Sequence, residues 1–261
     1  MPSPVPDSVL IELLNNAGGL SYKEGEARRR AIFRLQSIAK QKPNDIRVKL
    51  VLAVLHCRDG DSAHAEARMQ SIALHKLAGD LPSLGLYTTA SILLFKWDAA
   101  RESLRRMAVL AANEKLPDAA YVTIAALLGD IDSIRKFSHE DDVGEVEEKV
   151  KLARRILDIV RKLDLESMLL KHAQVVADVL KGQVAIISNF HLLEDPDIGG
   201  QASLTFIHRL KLPFSERWSL QRQIREKLGD LYEAEGRPRY QWLNMISHVV
   251  AGADEVEERA A

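Results

Sequence analysis

The chain has 261 residues, of which 28% are charged, and a formal net charge of -1 at pH 7. This balance lacks the strong basic surplus on which electrostatic binding to nucleic acid usually depends, and the length allows a sizeable core without disulfide staples. Cys57 is the single cysteine, which excludes an intramolecular disulfide and is typical of a reducing compartment. The N-terminal sequence has no basic region ahead of an apolar run, and no apolar segment reaches the roughly 18 residues of a membrane span. We therefore expect a cytoplasmic protein without a signal peptide or membrane anchor.

Helical periodicity dominates the first half of the chain. Apolar residues recur at intervals of three and four across residues 7–164, which predicts a mainly α-helical fold. Gly, Pro and Asp-Gly breaks divide the pattern, and those at Pro43 and Gly60 are short enough to predict antiparallel helical hairpins. The predicted helices lie near residues 7–17, 23–41, 44–58, 61–77, 83–95, 97–112, 117–128 and 130–138.

One short helical sequence occurs twice. RLQSIA at residues 34–39 returns 34 residues later as RMQSIA at residues 68–73. Both copies belong to a stripe of one small residue, a large one four positions later, and then a large and a small residue, and a third stripe follows. The leading alanine allows antiparallel helices to approach to about 8 Å. The three stripes are Ala31, Leu35, Ile38 and Ala39; Ala65, Met69, Ile72 and Ala73; and Ala100, Leu104, Met107 and Ala108.

A period near 34 residues built from helix, turn and helix resembles the tetratricopeptide repeat. Leu52 and Ala53 stand at first-helix packing positions of that repeat, and Gly60 with Asp61 at its turn. In the next repeat Trp97 stands at the aromatic position after the turn, although its first helix departs from the family pattern. The resemblance covers about half of the chain and implies a TPR-like α-solenoid of helical hairpins. An unrelated antiparallel α-bundle is the alternative architecture.

The resemblance also implies a function. Tetratricopeptide arrays hold a partner's peptide or helix in a groove lined by their first helices. It therefore implies a protein–protein interaction adaptor or scaffold, chaperone-like or regulatory, and two arginines in the groove favour an acidic partner segment. The groove residues that it implies are Arg47, Leu50, Val54, Cys57, Arg58, Thr89, Ile92 and Leu93.

The C-terminal part of the chain changes period, which predicts a smaller α+β region. Two alternating runs joined by an acidic connection with Pro and Gly predict a β-hairpin. An isolated two-stranded ribbon is marginal in water, so it is expected to lie on the flanking helices or to pair with another chain, and edge pairing would make a homodimer. The predicted boundaries are 1–138 for the helical repeats, 139–148 for an acidic linker, 149–252 for the α+β region, about 184–212 for its hairpin and 253–261 for a frayed tail.

The elements of this region follow from the same patterns. Long helical patterns come first, then the two strands, then a helix after Pro213 and a last helix. The predicted bounds are 146–163 and 165–181 for the helices, 184–193 and 202–212 for the strands, and 240–250 for the last helix. The apolar side predicted for the helix after Pro213 consists of Trp218, Leu220, Ile224, Leu228 and Leu231.

The chain has no recognisable catalytic motif, so we expect neither enzyme activity nor a cofactor. His56, Cys57, Asp59, Asp61 and His64 cluster around one turn and include residue types that bind zinc. We expect no metal there, because helical ligands need to sit three or four residues apart and a helix break separates the two histidines.

A second acidic cluster surrounds His191. It adds Glu194, Asp195 and Asp197, which could ligate a hard cation at a loop. Such residues are also what a strand connection uses, so we expect no metal here either. His208, on the apolar face of the second strand, is expected to be a hydrogen-bonded core residue.

The alternative function is a regulatory protein that contacts nucleic acid through the basic segments 23–42 and 209–239. Cations with interspersed aromatic side chains are what single-strand binders use. Trp218, however, lies on the predicted apolar stripe, which favours a role in the core. The aromatic residues considered are Trp218, Tyr232, Tyr240 and Trp242.

Overall fold

A computed structural model of the chain describes residues 12–17, 20, 23–77, 79–111, 119–138, 148–195, 201–240 and 246–253. The fold is mainly helical, as predicted, and a small sheet near the C-terminus has three strands where a two-stranded hairpin was predicted. Two compact units make up the chain: Met1–Leu110 with Gly182–Ile187, and Ala111–Lys181 with Ser188–Ala261. Within the described ranges, no helix combines the length and apolar character needed to cross a bilayer. Most of the predicted acidic linker and all but the first residue of the predicted tail lie outside the described residues.

The described residues of the first unit form α-helices, one short 3-10 helix and the start of a strand that begins at Ala185. The predicted helix 61–77 is in fact two elements, because the helix stops at Gln70. Ser71 ends it: its hydroxyl donates a hydrogen bond to the Arg68 carbonyl at 2.8 Å, in competition with the helical backbone bond. The elements are α1 at residues 12–17, α2 at Gly25–Gln41, α3 at Ile46–Asp59, α4 at Ser62–Gln70, the 3-10 helix at Leu74–Leu77, α5 at Leu81–Leu93 and α6 at Trp97–Ala111.

Helix α3 is the centre of this unit. It packs against α2, α4 and α5, and its residues from Leu50 to Cys57 are all buried. A helix that is apolar on every side is typical of a core position. Asp45 starts α3 by accepting a hydrogen bond from the Val48 amide at 3.2 Å, as its N-cap position predicts.

The three repeated stripes have the same burial. In each, the alanine and the next two large residues are buried, and the closing alanine is half-buried. Helices α5 and α6 also bond to each other: Thr88 Oγ1 lies 2.9 Å from Ser103 Oγ, which in turn donates to the Leu84 carbonyl at 3.2 Å. The shared order of small and large residues thus corresponds to a shared pattern of burial at all three stripes, although Ile72 and Ala73 lie beyond the end of α4.

One turn geometry recurs along the chain. Residues 60, 95, 129 and 164 all have positive φ, so successive turns lie 34 or 35 residues apart. At each, the amide of the positive-φ residue bonds three residues back and the next amide bonds five residues back, which is the Schellman motif. Phe95 and Asp164, both at φ 54°, have no glycine to mark them in the sequence. The recurrent turn therefore extends beyond the copies that sequence alone identified.

The described residues of the second unit begin with helices α7 at Ala119–Leu127, α8 at Ile131–Ser138, α9 at Glu148–Lys162 and α10 at Leu169–Val179. Helices α7, α8 and α9 pack on one another. Gly129, at the turn between α7 and α8, lies against the start of α10: a Cβ built on it would stand 2.7 Å from the Leu169 carbonyl oxygen. Both its φ of 67° and this close approach require glycine.

The sheet has the order β1-β2-β3. Ser188 is hydrogen-bonded to His208, and two residues later Phe190 contacts Phe206, which lies two residues earlier on the other strand. The two strands are therefore antiparallel, and β1 and β2 form the predicted hairpin. Strand β3 pairs parallel to β2, and helix α11 makes the crossover between them. The elements are β1 at Ala185–Asp195, β2 at Gln201–Leu210, α11 at Phe214–Ala234 and β3 at Ile246–Gly252.

The predicted last helix at 240–250 is wrong, because β3 occupies its second half; residues 241–245 lie outside the described residues. Ile246, His248 and Val250 are buried, whereas Ser247 and Val249 are more exposed. This is the period of a strand. A histidine at an inward position concealed the alternation.

The predicted apolar side of α11 is wrong at Trp218, which is 57% exposed. The residues that face the core are Ile224, Leu228 and Tyr232, four residues apart. Trp218 precedes Ile224 by six residues, which turns it by about 120° around the helix axis. It therefore points away from the core.

Helix α11 also covers the outer edge of β3. The side-chain amide of Gln221 donates to the His248 carbonyl at 2.6 Å and accepts from the Val250 amide at 2.7 Å. Covering an edge in this way prevents pairing with another strand there. The hairpin is thus not an isolated ribbon, and the homodimer stays a prediction.

Gly129→Ala should lower the free energy of unfolding by more than Gly236→Ala does. Gly236 closes a Schellman turn with a similar φ of 71° but has nothing within 4 Å of an added Cβ. That variant should lose roughly 1 kcal/mol for the left-handed conformation alone. Gly129→Ala should lose about 2 kcal/mol or more, because the Leu169 backbone must also move. Urea unfolding of both variants measures the difference, and equal losses would contradict the close approach.

Candidate functional site

A cleft of about 290 Å³ opens on the first unit, between helices α1, α3 and α5. Helix α1 supplies two of its residues, and α3 and α5 supply the others from their N-terminal turns. We call it the α1/α3/α5 cleft, and it is lined by Leu14, Asn15, Arg47, Val51, Pro82, Ser83 and Leu86. Arg47 is the charged residue among those that line it.

Arg47 forms the polar rim of the α1/α3/α5 cleft. Its side chain is 51% exposed, and its Nε lies 3.0 Å from Oδ2 of Asp80. The Ser83 hydroxyl donates to the same oxygen at 2.6 Å. Partial burial alone would raise the pKa of Asp80, but these hydrogen bonds from Ser83 and Arg47 hold it below its usual value. Asp80 is therefore ionised and already paired with Arg47.

Of the eight residues implied for a binding groove, Arg47 is the one that lines this cleft. Arg58 is half-buried and donates to the Leu20 carbonyl, and Thr89 donates to the Gly85 carbonyl at 2.9 Å. The other five belong to the core, because α3 and the end of α5 are enclosed by packed side chains. They are Leu50, Val54, Cys57, Ile92 and Leu93. The partner-binding role of the set stays a prediction.

Cys57 is fully buried, and this burial raises the pKa of its thiol to about 12. At neutral pH it is therefore protonated and a poor nucleophile or metal ligand. The sequence did not mark the other residues that line the α1/α3/α5 cleft. Asp80 and Ser83 have the spacing of an N-cap residue and its partner, and this spacing could have identified the α5 side of the cleft.

The two histidines around the Gly60 turn come together, contrary to the expectation from sequence. The His56 and His64 ring centroids are 5.1 Å apart, and both rings have Nδ1 near Oδ2 of Asp61, at 3.6 Å and 2.7 Å respectively. We call His56, Asp61 and His64 the histidine turn. Spacing misled the prediction because a Schellman turn folds the end of one helix back over the start of the next.

The two rings of the histidine turn differ in burial. Burial lowers the pKa of His56, although Asp61 opposes the effect. Nε2 of His56 is buried and has no hydrogen-bond partner among the described residues. His64 is 65% exposed. The site thus combines one buried and one accessible imidazole.

The cation cluster around His191 cannot be assembled from the described residues. His191 itself lies half-buried on β1. Asp197 and the side chains of Glu194 and Asp195 lie outside the described part of the chain.

A row of buried histidines lies in the second unit. His208 is fully buried and its Nδ1 lies 3.1 Å from Ser188 Oγ, as expected of a core histidine. His172 Nε2 lies 3.1 Å from the Tyr232 hydroxyl, and the His248 ring stands between the other two, 5.7 Å and 6.2 Å from their centroids. Burial lowers the pKa of His172 and of His208 to about 3. It also lowers the pKa of His248, with help from the two neighbours.

Exposed aromatic side chains distinguish α11. Phe214 and Trp218 stack at 6.5 Å with planes 14° apart, and the Arg217 guanidinium lies 5.7 Å from the Phe214 ring. We call Phe214, Arg217, Trp218, Gln221 and Arg225 the aromatic face. These residues and part of β3 line a cleft of about 240 Å³.

The basic segment on α2 is divided between surface and core. Arg28 is buried and pairs with Asp59 at 2.9 Å, so it contributes to packing. Arg29, Arg34 and Phe33, which is 76% exposed, lie on the outer face of the same helix.

No protein-family model matches this chain, and neither does any curated protein or solved structure. Its own geometry therefore carries the functional argument. Among the described residues, the α1/α3/α5 cleft, the histidine turn and the aromatic face each combine accessibility with polar or aromatic groups suited to binding.

The stability of the second unit should fall as the pH is lowered from 6.5 toward 3. Histidines of the unfolded chain take up protons below 6.5, whereas His172 and His208 stay neutral in the folded state down to about pH 3. Each of these two histidines should therefore lower the free energy of unfolding by up to about 1.4 kcal/mol for each unit that the pH falls within that window. Urea unfolding between pH 7 and about pH 5, above the carboxylate range, measures the slope. His208→Asn should reduce it, His75→Gln on the exposed 3-10 helix should not, and a flat wild-type profile would contradict the mechanism.

Proposed function

We propose that this protein is a protein-binding adaptor that holds an acidic segment of a partner, a peptide or a helix, in the α1/α3/α5 cleft. The observation that carries the proposal is that helices α1, α3 and α5 line one cleft with an arginine at its rim. Binding of this kind depends on shape and scattered polar contacts and needs no catalytic group.

The lining of the cleft fits such a segment. Leu14, Val51 and Leu86 provide apolar walls for an anchoring side chain, and Asn15 supplies an amide that can bond to a backbone. A partner carboxylate would share Arg47 with Asp80 or displace it. The volume of the α1/α3/α5 cleft suits one or two anchoring side chains of the partner, and the rest of the segment would lie across the surface.

The tetratricopeptide-like arrangement belongs to the same proposal. It is supported by the turns at 60, 95, 129 and 164 and by the matching burial of the three alanine stripes. Repeats of one helical hairpin each, stacked on their neighbours, are how such proteins build a continuous binding surface.

Arg47→Glu should abolish capture of a specific partner from the native organism without unfolding the protein. The Arg47–Asp80 pair is partly exposed and should contribute less than about 1 kcal/mol to stability. Arg34→Glu, a reversal on the outer face of α2, is the matched control and should retain the partner. Circular dichroism checks the fold, and titration calorimetry with the captured partner's acidic segment measures the affinity. Retention of every captured protein by Arg47→Glu, or loss by both variants, would contradict the cleft as the site.

A second candidate function has a specific observation in its favour. Trp218 is exposed beside Phe214 and two arginines, so the main argument from sequence against single-stranded nucleic acid no longer holds. Bases can stack on exposed aromatic rings while arginines contact the phosphates.

Trp218→Ala should separate this candidate from the adaptor. If the aromatic face binds single strands, the variant should lose about tenfold in affinity for a labelled oligo-dT, as loss of one stacking contact predicts. Wild-type binding should weaken steeply as salt is raised. Tyr240→Ala, an exposed aromatic outside the aromatic face, is the control. Fluorescence anisotropy measures both, and salt-independent or Trp218-independent binding would remove nucleic acid as a candidate.

A further inference from the structure

We propose that the histidine turn is a binding site for a divalent transition metal ion, with Zn²⁺ as the best match, held by His56 Nδ1, Asp61 Oδ2 and His64 Nδ1. One ligand atom from each of these three residues lies within 4.8 Å of those from the other two. Imidazole nitrogen and carboxylate oxygen together are a donor set that zinc accepts readily. This site is separate from the α1/α3/α5 cleft and does not rest on the adaptor function.

The distances favour a shared ion over direct contact. His56 Nδ1 faces Asp61 Oδ2 at 3.6 Å, which is too long for a hydrogen bond. Ligand atoms about 2.0 to 2.1 Å from a tetrahedral zinc lie roughly 3.3 Å apart, so this pair already has nearly the required separation. His64 Nδ1 lies 2.7 Å from the same oxygen. Metal binding would replace the proton between them and open that contact by about half an ångström.

The fold holds two of the three ligands in place. Asp61 is the N-cap of α4 and accepts the His64 backbone amide through Oδ1 at 3.1 Å, which leaves Oδ2 directed at the imidazoles. The buried ring of His56 is fixed by packing at the end of α3. No hydrogen bond from a described residue acts on its Nε2, so the proton can reside there and leave the Nδ1 lone pair for the ion.

The third ligand, His64, must move for all three ligand atoms to reach one ion. The rings of His56 and His64 are nearly parallel, with 19° between their planes. His64 must therefore rotate about its side-chain bonds to direct Nδ1 at the same point. Because this side chain is largely exposed, the rotation meets little resistance.

Three protein ligands leave a fourth position open to water. A bound ion would link the last turn of α3 to the first turn of α4 and so stabilise the first unit by mass action. Cys57 is adjacent in sequence but is fully buried and lies outside this group of ligand atoms.

Co²⁺ titration followed by visible absorption tests the site in the full-length protein, since cobalt reports its coordination geometry. We expect a stoichiometric d–d band without the near-ultraviolet charge transfer of a thiolate, competition by Zn²⁺, and a rise in Tm of the wild type with Zn²⁺. His64→Gln and Asp61→Asn should weaken Co²⁺ binding by about tenfold or more and abolish the Tm rise. Asn is as good an N-cap as Asp, so Asp61→Asn preserves the fold while weakening the ligand.

His75→Gln is the matched control, because His75 is exposed on the 3-10 helix and outside the histidine turn. It should bind Co²⁺ as the wild type does. The proposal is overturned if the wild type gives no d–d band and no Tm rise, or if His64→Gln and Asp61→Asn bind Co²⁺ as tightly as His75→Gln.

Discussion

The left-handed turn that closes one helix and begins the next is the constraint on which the architecture depends. A single residue with positive φ allows two backbone amides to satisfy carbonyls that would otherwise be left unpaired at the helix end. The chain repeats this solution at residues 60, 95, 129 and 164. Where the position is Phe95 or Asp164, the residue adopts a conformation that its side chain disfavours, which indicates that the surrounding helices determine the turn.

The same turn brings together potential metal ligands whose spacing in the sequence matches no known motif. Residues five apart across a Schellman turn are neighbours in space, which is why His56 meets Asp61 and why His64, on the next helix, stacks on His56. Helix α3, enclosed on all sides, keeps one of these imidazoles out of water. The turn at Gly60, which satisfies backbone hydrogen bonds at the end of α3, thereby brings the nitrogen and oxygen donors of the histidine turn together.

The second unit shows how polar groups are tolerated in a small core. Its histidines lie between the sheet and the helices, and burial keeps them neutral. Strand β3 completes the sheet through the α11 crossover, and Gln221 supplies the hydrogen bonds that a further strand would otherwise make. Because the core-facing stripe of α11 begins at Ile224, the first turns of that helix are free to present Phe214 and Trp218 to solvent.

The sequence alone determined the helical class, most helix positions, the hairpin of β1 and β2 and the alanine stripes, because these depend on local periodicity and turn residues. It did not determine which face of α11 is buried, whether residues 246–252 form a strand, or which side chains line the α1/α3/α5 cleft. Those outcomes depend on neighbours distant in sequence: β2 selects β3 as its partner, and packing around α3 buries residues such as Leu50 and Val54 that a repeat pattern assigns to a groove. The meeting of His56 with His64 was likewise decided in three dimensions, because a count of residues along the chain does not register the reversal at Gly60.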